Sequence, residues 1–126
     1  MPTLISDKPE RMHAALQAAD EAAATNPSVL GIHLEGPFLS PEKPGVHNRS
    51  LIRRAGPVDI ATLTAPRAGV TLVTLAPERA PSGFITELVK AGIRVSLGHS
   101  MATYDETRAA LAEGLTGFTH LFNAMR

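Results

Sequence analysis

Residues 70–97 read VTLVTLAPERAPSGFITELVKAGIRVSL. Val70 to Leu75 is the most strand-like run in the chain, and Ala76-Pro77 ends it. Ser82 can cap a helix through about Ala91 that stops at Gly92, and Ile93 to Leu97 is strand again. Strand, helix and strand joined by connections this short predict a parallel βαβ unit.

The same alternation extends both ways. Upstream, Pro57 to Ala65 is expected as a short helix and Val29 to Glu35, closed by Gly36-Pro37, as a buried strand. From Pro9 to Thr25, the residues Met12, Ala15, Leu16, Ala19 and Ala23 recur at helical spacing; Asp7 and Glu10 stand like a capping box, and Asn26-Pro27 stops the helix. Thr3-Leu4-Ile5 resembles the end of another strand. Downstream, Thr103 and Glu106 form a second capping box for a helix to Glu113, followed by Gly114 and a short strand from about Gly117 to Leu121. Strands that each follow a helix make the class α/β with a parallel sheet, either a (β/α)8 barrel or a doubly wound open sheet. A closed barrel takes about 250 residues. A chain of 126 residues supplies half of one, and both of its ends are expected to be cut.

Composition narrows the function classes. Twelve Lys+Arg balance 12 Asp+Glu, so no general attraction draws the chain to nucleic acid or an anionic membrane. No apolar run approaches the roughly 20 residues that span a bilayer, and no basic-then-apolar leader opens the chain, so a cytoplasmic protein is expected. Cysteine is absent, which excludes disulfides and thiolate metal sites; a metal centre would have to use imidazole and carboxylate. The five histidines are therefore the residues to follow.

In parallel α/β folds, functional groups collect at the carboxyl ends of strands. Glu35, His99 and His120 each end a predicted strand, and the loop carrying His47 leaves from the same side. One carboxylate and two imidazoles can converge on a divalent ion while leaving positions open for water. A single strand-end histidine is otherwise explained as a hydrogen-bonded structural residue. In the long loop after Glu35, Lys43, His47, Asn48, Arg49, Arg53 and Arg54 crowd donors and positive charge, as an anionic substrate or a solvated basic surface would require. His33 shares the face of Glu35 about 7 Å away and fits a ligand, a supporting partner or a buried polar residue; it stays outside the ligand set. His13, Thr71, Thr74 and Tyr104 have sufficient core or surface explanations.

Four segments carry a family resemblance: His33-Leu-Glu-Gly-Pro-Phe-Leu39, Pro44-Gly-Val-His47, Gly98-His-Ser100 with Ala102-Thr103, and Thr119-His-Leu-Phe-Asn-Ala-Met125. In this order the chain resembles N-acetylglucosamine-6-phosphate deacetylase, of the amidohydrolase superfamily, over residues 1–126. The resemblance implies a TIM-like barrel, of which residues 1–126 are the central part, about strands 3 to 6. It implies that Glu35, His99 and His120 hold a divalent zinc, iron or manganese ion, and that His47 contacts the substrate near its acetamido carbonyl. The backbone at Asn123 and Ala124 would help hold a sugar phosphate, and a full-length member would be a homodimer. Family members are roughly three times as long, and their acid–base aspartate on the last strand has no counterpart here. The implied reaction is metal-assisted hydrolysis of N-acetylglucosamine 6-phosphate to glucosamine 6-phosphate and acetate, with this chain inactive by itself. Another amidohydrolase specificity, or a non-catalytic α/β module binding an anion through its basic loop, stands as the alternative.

Overall fold

Alternating apolar positions in short, proline- and glycine-bounded runs build five strands: β1 (Thr3–Ile5), β2 (Gly31–Glu35), β3 (Val70–Leu75), β4 (Arg94–Leu97) and β5 (Gly117–Phe118). The helices between them are α1 (Pro9–Thr25), α2 (Pro57–Leu63), α3 (Phe84–Lys90) and α4 (Tyr104–Ala112). The computed structural model describes all residues from 1 to 126. Its single sheet runs in the order β1-β2-β3-β4-β5, every neighbouring pair parallel. The order never reverses, so these five strands contain no topological switch point of the doubly wound kind. Each crossover steps the same way along the sheet.

Strand parity separates two chemistries. Ile32, Leu34, Val73, Leu75, Val95 and Leu97 belong to one buried cluster with Met12 and Leu16 of α1, Leu63 of α2, Phe84 and Leu88 of α3, and Ala110 of α4. All four helices thus cover one sheet face. The alternate residues His33, Glu35, Thr74 and Ser96 point to the other face, which is polar. Register sets Glu35 beside Thr74 and Thr74 beside Ser96, so the site's carboxylate stands at the top of a polar row.

Helix boundaries differ from expectation where distant residues intervene. The Thr103–Glu106 box forms, with the Thr103 amide 2.7 Å from Glu106 Oε2 and the Glu106 amide 3.3 Å from Thr103 Oγ1. The Asp7–Glu10 box does not: Lys8 is the N-cap of α1, and Asp7 Oδ1 accepts from the Lys8 amide instead, at 2.7 Å. Gly83, not Ser82, caps α3, because Glu113 at the end of α4 reaches across to accept from the Gly83 amide at 3.0 Å. The last strand stops at Phe118 rather than near Leu121, since His120, Phe122 and Ala124 all adopt positive φ and coil the chain into turns. No helix is long and apolar enough to cross a membrane.

Candidate metal and substrate centre

Three carboxyl strand ends and one loop deliver the site. Glu35 closes β2, His99 follows β4 after Gly98, and His120 follows β5 after Thr119. The loop after β2 reaches back because Phe38 and Leu39 are wholly buried and Phe38 packs edge-on against Phe84, with centroids 5.7 Å apart. The Ser40 amide then donates to the His99 carbonyl at 2.8 Å, and the turn Pro44–His47 closes as the His47 amide donates to the Pro44 carbonyl at 2.9 Å. Gly45 sits against the His99 ring so closely that a Cβ there would stand 2.9 Å from its Cε1.

These elements bring Glu35, His47, His99 and His120 to one point. His99 Nε2 lies 2.9 Å and His120 Nε2 2.8 Å from Glu35 Oε1, with His47 Nε2 at 3.6 Å. The His47 and His99 rings meet edge-on at 4.7 Å, and His99 and His120 at 5.3 Å. Ligand atoms of Glu35, His47 and His99 all fall within 4.8 Å of one another. Burial works to raise the Glu35 carboxyl, but hydrogen bonds from His120 and His99 outweigh it and hold it below the usual carboxylate range. Burial pushes His47 down, as does the neighbouring His99, against a smaller pull from Glu35.

One feature fits a cation, and a second leaves a buried polar atom for a substrate to meet. His99 Nδ1 lies 2.7 Å from the Lys43 carbonyl, which can only accept, so Nδ1 carries hydrogen. In neutral His99 the Nε2 lone pair then faces the Glu35 carboxylate at 2.9 Å, an arrangement that needs a proton or a metal ion between the two acceptors. In addition, His47 Nε2 is buried without any partner, which in an interior costs about 1–3 kcal/mol.

Other expected positions resolve differently. The Asn123 amide closes a turn onto the His120 carbonyl at 2.6 Å, so its backbone donor is consumed locally. Ala124 has φ +50 and its carbonyl accepts from the Ser100 amide at 3.0 Å, leaving its own N–H without an internal acceptor. Arg53 is not a free cation: it grips Asp59 through two bonds of 2.8 and 2.6 Å and lies over the Phe38 ring. Arg54 donates to the Glu78 carbonyl at 3.2 Å. His33 is tied at both nitrogens, to Thr3 Oγ1 at 3.1 Å and Thr74 Oγ1 at 2.7 Å, and burial lowers its pKa.

Several supporting groups carry little sequence signal. Thr74, Thr119 and Ser96 link hydroxyl to hydroxyl at 2.8 Å beneath the site. Glu78 accepts from Ser100 Oγ at 2.7 Å and the Met101 amide at 2.6 Å, fixing the segment just after His99. Ser6, beside His47 Nδ1, is the first residue past β1; the strand-end rule that singled out Glu35 applies to it equally.

Comparison with known proteins finds similarity over nearly the whole chain. The chain is 42% identical over 130 aligned residues to rat N-acetylglucosamine-6-phosphate deacetylase, covering 98% of the chain and 32% of that protein. It is homologous to about a third of that enzyme. No protein-family model matches. The N-acetylgalactosamine-6-phosphate deacetylase of Shewanella sp. (strain ANA-3) is 40% identical over 99% of the chain and 32% of its own length. Among solved structures, N-acetylglucosamine-6-phosphate deacetylase from Pasteurella multocida superposes with a TM-score of 0.92 at 40% identity, covering 98% of this chain and 33% of that one. The Thermotoga maritima deacetylase does so with a TM-score of 0.88 at 36% identity, over 98% and 34%. A Mycobacterium smegmatis deacetylase, solved in complex with N-acetyl-D-glucosamine-6-phosphate, gives 0.81 at 41% identity over 98% and 33%. The chain therefore spans about one third of the length of the deacetylases it matches.

Proposed function

We propose that this chain is the metal-holding part of an N-acetylglucosamine-6-phosphate deacetylase. It would form the central portion of a (β/α)8 barrel domain, about strands 3 to 6, in a cytoplasmic homodimer. The observation that carries the reading is the meeting of His99 and His120 Nε2 on one Glu35 oxygen at 2.9 and 2.8 Å, from three separate strand ends. An unreversed sheet order with all helices on one face supports the barrel.

In this reading Glu35, His99 and His120 hold a divalent zinc, iron or manganese ion. Such an ion supplies Lewis-acid polarisation of an amide carbonyl and lowers the pKa of water towards about 7. The chain's own groups do the rest that falls to them. Buried, neutral His47 donates a hydrogen bond to the acetamido oxygen as negative charge gathers there, an interaction favoured by the dry surroundings of its Nε2. The free Ala124 N–H, beside the Asn123 turn, donates to the sugar phosphate. Residues 1–126 contain no counterpart of the family's acid–base aspartate, so the 126-residue chain by itself releases no acetate.

Metal analysis of the purified chain after reconstitution tests the reading. Stoichiometric zinc, iron or manganese is expected, lost in His99→Ala and His120→Ala, together with binding of N-acetylglucosamine 6-phosphate to the loaded chain. A well-folded chain that retains no metal would return Glu35 and the histidines to a structural role, as in an anion-binding module. The 40% identity to an N-acetylgalactosamine-6-phosphate deacetylase makes the epimeric sugar phosphate the second reading; comparing the affinities of the two sugars separates them.

A further inference from the structure

His47 and His99 lie edge to edge and aim Nε2 at the same carboxylate oxygen, yet their far nitrogens meet opposite backbone groups. His99 Nδ1 faces a carbonyl, that of Lys43, at 2.7 Å. His47 Nδ1 faces a donor: the Ser6 amide points its N–H at this nitrogen across 3.1 Å, in a buried setting, with Ser6 Oγ a further 2.9 Å contact. A backbone N–H cannot accept. A hydrogen on His47 Nδ1 would confront it donor to donor and leave a buried backbone N–H unpaired.

We propose that Ser6 is a positioning residue that fixes His47 in the tautomer with hydrogen on Nε2, so that His47 is a hydrogen-bond donor into the site and not a metal ligand. This rests on the reading of His47 as the donor to the substrate's acetamido oxygen and says what makes it one. The two adjacent imidazoles are divided in role by the backbone behind them. The Lys43 carbonyl leaves His99 a lone pair for a cation, and the Ser6 amide leaves His47 a hydrogen for an oxygen. The inclusion of His47 with Glu35 and His99 in a compact set of ligand atoms is then a matter of proximity, because its Nε2 offers no lone pair.

The fold makes room for the arrangement. Gly36 has φ +87, and a Cβ there would stand 2.3 Å from Ser6 Oγ, so a side chain at residue 36 would push Ser6 off the imidazole. The end of β1, which contributes nothing else to the site, thereby serves to carry Ser6 to the ring.

Nitrogen NMR of the isotope-labelled 126-residue chain tests the proposal without any assay of turnover. A scalar coupling through the hydrogen bond, from the Ser6 amide nitrogen to His47 Nδ1, is expected. So is hydrogen on His47 Nε2, favoured over Nδ1 by at least about tenfold. When zinc is added, His99 Nε2 should take the metal-bound shift while His47 Nε2 keeps its hydrogen. Hydrogen on His47 Nδ1, or a zinc-shifted His47 Nε2, overturns the proposal. Ser6→Ala, which keeps the amide, should preserve the coupling, and Ser6→Pro, which removes the donor, should let both tautomers appear. The wild-type spectra decide the matter even if Ser6→Pro does not fold. Should the chain bind no zinc at all, the metal reading fails on its own, while the metal-free His47 spectrum still judges Ser6.

Discussion

The chain leaves β2 and β5 in contrasting ways. After Glu35 it turns into the interior, where Phe38 and Leu39 are fully buried and Phe38 meets Phe84 edge-on with the Arg53 guanidinium over its ring. After Phe118 it stays on the surface: the His120 side chain is 50% exposed and Phe122 is 89% exposed, with three residues at positive φ. One half of the site is thus anchored in the hydrophobic core, and the other, apart from Met125 packed at the edge of that core, is held by a handful of hydrogen bonds. Packing can resist displacement from every side, whereas a few bonds fix a segment only along their own directions. The Glu35–His47 side should therefore keep its geometry when the His120 side moves.

The largest break in that contrast comes from the two phenylalanines. Phe38→Ala removes a wholly buried ring and should cost about 3–5 kcal/mol, a large share of the roughly 5–15 kcal/mol that a domain possesses. Phe122→Ala should stay within about 0.5 kcal/mol. Thermal denaturation of both variants checks the pair; equal losses would mean that the segment after β5 is packed as well as the loop after β2.

Glu78 is the bridge between the two halves. Its carboxylate fixes Ser100 and Met101, and the Ser100 amide in turn holds the Ala124 carbonyl. Glu78→Ala orphans the Met101 amide and should cost about 1–3 kcal/mol. The more telling readout is hydrogen exchange, which should quicken around residues 120–125 and remain slow around residues 36–40. Uniform acceleration through both segments would deny that they are held differently.

A smaller effect should come from Thr119→Val, which keeps the shape and deletes the hydroxyl that links Thr74 and Ser96. A loss of about 1 kcal/mol is expected, with a more mobile His120 ring in side-chain relaxation measurements. A His120 as ordered as in the parent chain would assign its placement to the turn backbone alone.

Much of this contrast is legible in residue types and some of it is not. Strands β2, β3 and β4 are legible because short runs rich in β-branched and aliphatic residues, too short for a helix, lie between Gly and Pro breakers, and Glu35, His99 and His120 follow from the rule that parallel sheets place chemistry at carboxyl ends. Strand β5 is shorter than its composition suggests, since Thr119 to Leu121 is strand-like in residue type while left-handed turns at His120, Phe122 and Ala124 consume it. The basic loop promises an anion site, but Asp59, a residue within the helix expected next, takes Arg53 for itself. The groups that orient the imidazoles, the Lys43 carbonyl and the Ser6 amide, belong to the backbone, which every residue has and no sequence pattern distinguishes. Glu113 capping α3 is invisible for a related reason: its partner lies thirty residues away in sequence.

The capping box that opens α4, just past the His99 segment, gives the smallest effect and a clean sign. The Thr103 amide and hydroxyl both bond Glu106, and those bonds hold its carboxyl below the usual carboxylate range. A carboxyl whose folded pKa is depressed contributes stability above its unfolded pKa and loses it as pH falls through the folded value. Glu106 is fully at the surface, so solvent screens most of that contribution. Melting temperatures of the parent and Glu106→Gln should differ slightly near neutral pH, in the parent's favour, and converge as the solution is acidified. A gap that persists at low pH would show that the side chain acts through packing rather than charge. A gap that widens would reverse the sign and place the depressed carboxyl elsewhere.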